Sequence, residues 1–398
     1  MNKKQAVAVM NRHELDALVA TTPENFVYLT DYLEGIAPRV NWYSRFFAVI
    51  SATGDLPVGM LCPRMHLLYG AQAELPELDI RSYGSYHFQG EPKGPLSPEE
   101  EKLIHLRSLS SDEEDDPFVV LVSLLKDRGI GAGSVVGVDE AMLSHSDWSK
   151  LTQLMPEVRF VDAAETFREV RMIKTEEEVA RLRRVLEGTT RAMQITIPYI
   201  QVGIPHHEVW SVLRRSMLEQ GVEARHVCVG IGPSSSFAAT LPSERRVQAG
   251  DLVKFDHSGK FRGYISDGGR TGVVGKPTDK QRHYHEATLA GQQAGCDAVK
   301  PGALARDIFL AMRDGVRSHG FPEYDRQSLG HGIGVEVYDR PLIAPGDDTV
   351  LEPGMVVNVE VPLYELGFGG FQIEDTLLVT ETGHEYLIDL DKGLFVIE

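Results

Sequence analysis

DLVKFDHSGKFRGYISDGGRTGVV, residues 251–274, is the stretch on which the fold turns. Apolar strand character surrounds Asp256, a glycine-containing turn follows, and a second strand is expected to carry Asp267. On antiparallel partners two such side chains can point to one face of a sheet. Further along, LEPGMVVNVEVPLYELGFGGFQIEDTLLVT, residues 351–380, repeats the arrangement. Glu360 sits in one apolar strand, Glu374 in the next, and a glycine-rich loop joins them. An ionised carboxylate inside a strand is costly unless it is paired or binds a cation.

A pair of similar segments precedes these strands. GIPHHEVWSVLRRSMLEQG runs from Gly203 to Gly221, and GALARDIFLAMRDGVRSHG from Gly302 to Gly320. Glu208 matches Asp307, Val209 matches Ile308, Trp210 matches Phe309 and Leu213 matches Met312. Each predicts an amphipathic helix closed by a glycine cap, with strands after it. The pattern is a duplicated α+β half, and two halves facing each other would leave a cleft. Into that cleft LGHGIGVEVYDRP, residues 329–341, would bring His331, followed by Tyr338 and Asp339. Four carboxylates and one imidazole then converge, and their mutual repulsion demands positive charge. Two divalent cations would supply it, and carboxylates with one nitrogen ligand suit Mn²⁺, Co²⁺ or Zn²⁺. Paired metals lower the pKa of a water and polarise a carbonyl, which is hydrolytic machinery. Taken alone, a histidine in an apolar run such as His331 is more often a satisfied core histidine than a ligand or a base.

The bulk properties agree with a globular enzyme. The chain has 398 residues, so two domains are expected. A formal net charge of −18 argues against nucleic acid and against an anionic membrane surface. Cys62, Cys228 and Cys296 form no CxxC pair, so neither a disulfide framework nor a zinc ribbon is expected, and a reducing cytoplasm is the expected compartment. The N-terminus lacks the sustained apolar core of a signal peptide, and no run approaches the roughly 18 apolar residues of a membrane span. Residues 1–165 alternate helix and strand patterns, as an α/β domain does. HELDALVAT reads as a helix end running into a strand, and FFAVISATGDLPVGMLCP as two strands around a turn at Thr53-Gly54-Asp55. SSDEEDDP, residues 110–117, reads as solvated. Thr175 and Glu178 fit a capping box opening a long helix. The junction is expected near residues 165–173, dividing the chain into 1–165 and 166–398.

The order Asp, Asp, His, Glu, Glu resembles the creatinase/prolidase/methionine-aminopeptidase family with its pita-bread fold. The segments KFDHSGKFRGYISDGGRT, GHGIGVEV, LEPGMVVNVEV and GGFQIEDTLLVT carry the resemblance. TTPENFVYLTDYL and VRMIKTEEEVARLRR extend it towards the prolidase and aminopeptidase P branch. It implies a creatinase-like α/β N-terminal domain before an α+β pita-bread domain with a pseudo-twofold repeat. It implies Asp256, Asp267, His331, Glu360 and Glu374 as ligands of two divalent ions, Mn²⁺ foremost, with Glu360 also handling the proton of the attacking water. It implies an Xaa-Pro peptidase acting on a peptide or small amide, and a homodimer.

Departures fall on the substrate side. Tyr338 stands where relatives carry a histidine seven residues after the ligand histidine. Ser243 occupies the histidine of their PH motif, and Gln372 the arginine of their RIED. Tyr338 can donate a hydrogen bond to an oxyanion but is no general acid near neutrality, its reference pKa being about 10. It is either a remodelled substrate contact, and then a candidate catalytic residue beside Glu360, or simple filler. Arg270, Ser243, Asp339 and Gln372 are candidate supporting or substrate-contacting residues. RVNWYSRFF, with Arg39, Trp42, Tyr43 and Arg45, is either a substrate lid or an ordinary strand. Two other functions suit the same fold, a small-molecule amidohydrolase or lyase and a catalytically silent binding protein.

Overall fold

The computed structural model describes residues 1–32, 44–90, 92–110 and 114–398. They form two compact units, Met1–Arg171 and Met172–Glu398.

The first unit holds strands β1 (Ala17–Ala20), β2 (Phe47–Ser51), β3 (Val58–Pro63), β4 (Leu78–Tyr83), β5 (Val135–Val138) and β6 (Arg159–Asp162), in sheet order β4-β3-β2-β1-β5-β6. β2 and β3 are antiparallel, and Gly54 takes a positive φ of 70° in the turn between them. Helices α1 (Lys3–Arg12), α2 (Pro23–Thr30), α3 (Leu67–Gln72), α4 (Pro98–Ser108), α5 (Pro117–Lys126), α6 (His145–Leu154) and α7 (Ala164–Met172) accompany the sheet. Of the acidic run 110–117, Asp116 N-caps α5 by accepting from Phe118 N at 3.0 Å, while residues 111–113 lie outside the described residues. Arg39, Trp42 and Tyr43 also lie outside them. Arg45 pairs with Asp147 at 2.7 Å inside this unit.

The second unit opens with α8 (Glu176–Thr196), started by the Thr175–Glu178 capping box. It continues through α9 (His206–Glu219), β7 (Glu223–Ile231), β8 (Leu252–Phe261), β9 (Tyr264–Ile265) and β10 (Gly268–Val274). A similar succession follows: α10 (Asp279–Ala298), α11 (Ala305–Arg317), β11 (Gly330–Gly332), β12 (Asp339–Leu342), β13 (Val356–Glu365) and β14 (Gly369–Val379), then β15 (His384–Tyr386) and β16 (Phe395–Ile397). The repeat shows in backbone detail. Gly203 N donates to Val247 O at 2.9 Å, and its counterpart Gly302 N to Leu351 O at 2.8 Å. The sheet order is β12-β11-β13-β14-β10-β8-β7, so the two copies meet where β10 pairs with β14. α8 packs on α9, and α10 on α11. At the second crossing, a Cβ on Gly315 would lie 2.9 Å from the Cα of Gly291, so only glycine permits that approach.

One face of this sheet is apolar and carries the helices. Val357, Val359 and Val361 of β13 share a core with Ile308 and Met312 of α11. Val253 and Phe255 of β8 share another with Val209 and Leu213 of α9. Because strand side chains alternate, the intervening residues of β8, β10, β13 and β14 face the other side. No helix among the described residues is long and apolar enough to cross a membrane.

Candidate metal centre

Strand register assembles the site. Asp256 of β8 pairs with Gly269 of β10, Gly269 with Glu374 of β14, and Glu374 with Glu360 of β13. One row across four strands therefore carries three carboxylates on the face away from the helices. Asp267 stands two residues before Gly269, in the short link between β9 and β10 and not inside a strand as the sequence predicts. His331 of β11 pairs with Asn358, two residues before Glu360. The ligand atoms of Asp267, His331 and Glu374 all lie within 4.8 Å of one another.

The residues fit a divalent cation. His331 Nδ1 is 2.9 Å from the carbonyl oxygen of Gly332, which holds the ring and places the proton on Nδ1. Its Nε2 is buried without a hydrogen-bond partner among the described residues and lies 3.8 Å from Asp267 Oδ2. Burial lowers the His331 pKa, which favours the neutral imidazole that a metal requires. Burial, then the charges of Asp256 and Glu360, push Asp267 well above the usual carboxylate range. Burial, then Asp267 and Glu360, do the same to Glu374. Glu360 is pushed up to about 7 by burial and by Asp256. Such a cluster is relieved by cations. Gly269 leaves room at its middle: a Cβ there would come within 3.0 Å of Glu374 Oε2.

Polar neighbours fix the carboxylates. Glu374 Oε1 accepts from Asn358 Nδ2, and Glu374 Oε2 from Gln372 Nε2 at 3.0 Å. The same Gln372 amide lies 3.4 Å from Glu360 Oε2, and its carbonyl accepts from Tyr364 OH at 2.8 Å. Gln372 thus spans two glutamates on the carboxylate face.

Arg270 is one residue out of phase with the row and points to the helix face. It donates to Glu374 O at 2.7 Å, to Gly269 O at 2.9 Å and to Asp375 Oδ1 at 2.6 Å. It acts on the row through the backbone. Ser243 is exposed, its Oγ 3.2 Å from His206 Nδ1. Asp339 is buried on β12 opposite Gly332, beside His331. Tyr338 is 66 % exposed, with its ring centroid 4.5 Å from that of His331. Its covered part and the carboxylates Glu360 and Asp267 push the phenol up to about 12. His257, on the helix face, approaches Thr189 O of α8 at 3.2 Å.

Lys254, Asn358 and Tyr364 were not foreseen from sequence. Their signal was there: Lys254 and Asn358 each stand two positions before a carboxylate in an otherwise apolar strand, and Tyr364 stands four after Glu360 on the same face.

A carboxylate–histidine centre on a duplicated α+β sheet, in a chain that begins with an α/β unit, defines a class of metal-dependent peptidases. Residues 180–381 match metallopeptidase family M24, and residues 3–173 match the creatinase/prolidase N-terminal domain. The chain belongs to metallopeptidase family M24 and is an enzyme of that family, with the pita-bread fold. It is 34% identical over 289 residues to an Xaa-Pro dipeptidase of Lactobacillus delbrueckii subsp. lactis, covering 72% of this chain and 78% of that one. It is 28% identical over 394 residues to an Xaa-Pro dipeptidase of Pyrococcus horikoshii, covering 98% and 97%. The prolidase structure from Pyrococcus furiosus superposes with a TM-score of 0.74 at 26% identity, covering 97% of this chain and 99% of that one.

Proposed function

We propose that the protein is a cytoplasmic, homodimeric Xaa-Pro dipeptidase working with two divalent cations. Manganese is the first choice, with cobalt and zinc as alternatives. Asp256, Asp267, His331, Glu360 and Glu374 would hold them. The observation that carries this reading is the register row of the carboxylates Asp256, Glu374 and Glu360, with a buried His331 Nε2 that has no hydrogen-bond partner among the described residues. Sequence likeness to Xaa-Pro dipeptidases over nearly the whole chain supports the substrate class. It also disfavours a specialised amidase, a lyase or a silent binding protein.

When bound, the cations supply Lewis-acid polarisation of a carbonyl and an acidified water. Glu360 takes the proton of the attacking water. Gln372 and Asn358 keep the glutamates oriented, so little reorganisation is needed during reaction. Tyr338 stays protonated near neutrality and donates a hydrogen bond to the carbonyl oxygen as negative charge develops. Ser243 and Tyr338, in place of two histidines, alter the substrate side.

Elemental analysis of protein grown with added manganese tests the reading, with an Asp267→Ala control. About two ions per protomer, lost in the control, are expected. Preferential cleavage of Xaa-Pro dipeptides over Xaa-Ala dipeptides and small amides is expected from the same preparation. No bound metal after reconstitution would overturn the mechanism, and cleavage of small amides alone would overturn the substrate class.

A further inference from the structure

Lys254 lies on β8 two positions before Asp256 and faces the same side of the sheet. Its side chain has no exposure to solvent, and its Nζ is 3.8 Å from Asp256 Oδ2. The ammonium donates to Phe237 O at 2.8 Å and to Tyr364 OH at 3.1 Å, and it sits 4.5 Å from the centroid of the Tyr364 ring. Both hydrogen-bond partners are neutral. Enclosing an ammonium this way is costly unless negative charge balances it. The balancing charge comes from the carboxylate row, with Asp256 foremost. Two divalent ions would already neutralise Asp256, Asp267, Glu360 and Glu374, so Lys254 adds a positive charge that works against them.

We propose that Lys254 is the built-in counter-ion of the metal centre. It holds the carboxylates together while no cation is bound, and it competes with divalent ions for the negative field of Asp256. Metal affinity is thereby set lower than the ligands alone would give, so occupancy follows the supply of divalent ions. This rests on the metal-dependent reading above. A lysine that merely packs the strand would behave in the opposite way, because its loss would disorder the ligands and weaken metal binding.

The test is calorimetric titration with Mn²⁺ of chelator-treated wild type, Lys254→Met and Tyr364→Phe at constant ionic strength. Lys254→Met is expected to bind Mn²⁺ at least about tenfold more tightly than wild type, given the strength of charge interactions at this separation. Tyr364→Phe removes a hydrogen bond but keeps the charge, so no tightening is expected. Metal-free Lys254→Met is expected to melt below metal-free wild type, with the gap closing at saturating Mn²⁺. Unchanged or weaker binding by a folded Lys254→Met overturns the counter-ion role. If that variant does not fold without metal, Lys254→Gln takes its place with the same expected tightening and the same overturning result. Failure of wild type to bind Mn²⁺ at all would instead sink the metallopeptidase mechanism itself.

Discussion

Glu360→Gln is expected to lower kcat on an Xaa-Pro dipeptide by about 10³-fold or more, while stabilising the metal-free protein. Loss of activity would follow from removing the proposed proton acceptor and metal ligand together. The gain in stability follows from the company Glu360 keeps. Its carboxyl is pushed from the ordinary 4.5 to about 7 in the fold, by burial and by Asp256. A group whose pKa is raised on folding contributes stability below its unfolded pKa, and that contribution is lost as pH rises through the folded value. Metal-free wild type is therefore expected to lose up to about 3 kcal/mol from this group alone between about pH 4.5 and pH 7. Asp267 and Glu374 shift in the same direction and extend the window upward. Glutamine carries no charge at any pH, so the variant escapes its share of that loss. Melting temperatures of both chelator-treated proteins, measured from about pH 5 to pH 8, should coincide at the acid end and separate as pH rises. Bound divalent ions favour the ionised carboxylates and should reverse the order. A gap independent of pH, or near-normal turnover by the variant, would contradict this account of the site.

Arg270→Met should cost about 3–5 kcal/mol of stability, the largest structural loss of any single change near the centre. Arg270 and Asp375 are both 4 % exposed and 2.6 Å apart. Besides that pair, the guanidinium holds the carbonyls of Gly269, Glu374, Leu390 and Asp391. Methionine fills much of the volume but leaves those acceptors bare and Asp375 buried beside Gln292 and the more distant Lys392. Denaturant midpoints of metal-free protein read the loss. Metal affinity should fall too, since two of the released carbonyls belong to Gly269 and Glu374 of the row. Pairing the change with Asp375→Leu should recover part of the stability, because replacing both members of a buried ion pair costs less than stranding one. Equal losses for the single and double variants would show that the ion pair is not the source.

Much of this protein was legible from its sequence for local reasons. The capping box at Thr175 and Glu178, Gly221 directly after the C-cap of α9 and the turn at Gly54 are short-range signals, and each sits where the residues predicted it, whereas Gly320 lies three residues past the end of α11. Asp256, Glu360 and Glu374 stood out because charge inside an apolar strand is expensive and so conspicuous, and Asp267 stood out for the same expected reason although the fold sets it just before β10. The convergence of His331 with Asp267 and Glu374 followed from reading the chain as two facing halves. The polar company of these residues was a different matter. Strand alternation says that Lys254 shares a face with Asp256, Asn358 with Glu360, and that Arg270 opposes Gly269. It does not say which face meets the helices or which residue stands opposite another. Sequence by itself determined the two-unit fold, the repeat and the candidate ligands, because those rest on periodicity, caps and the cost of buried charge. Tertiary structure alone decided that Gln372 bridges two glutamates, that Arg270 holds the row from behind, and that Lys254 is sealed against Asp256. Those facts depend on register between strands far apart in the chain, and a shift of one residue would turn every one of these side chains to the opposite face.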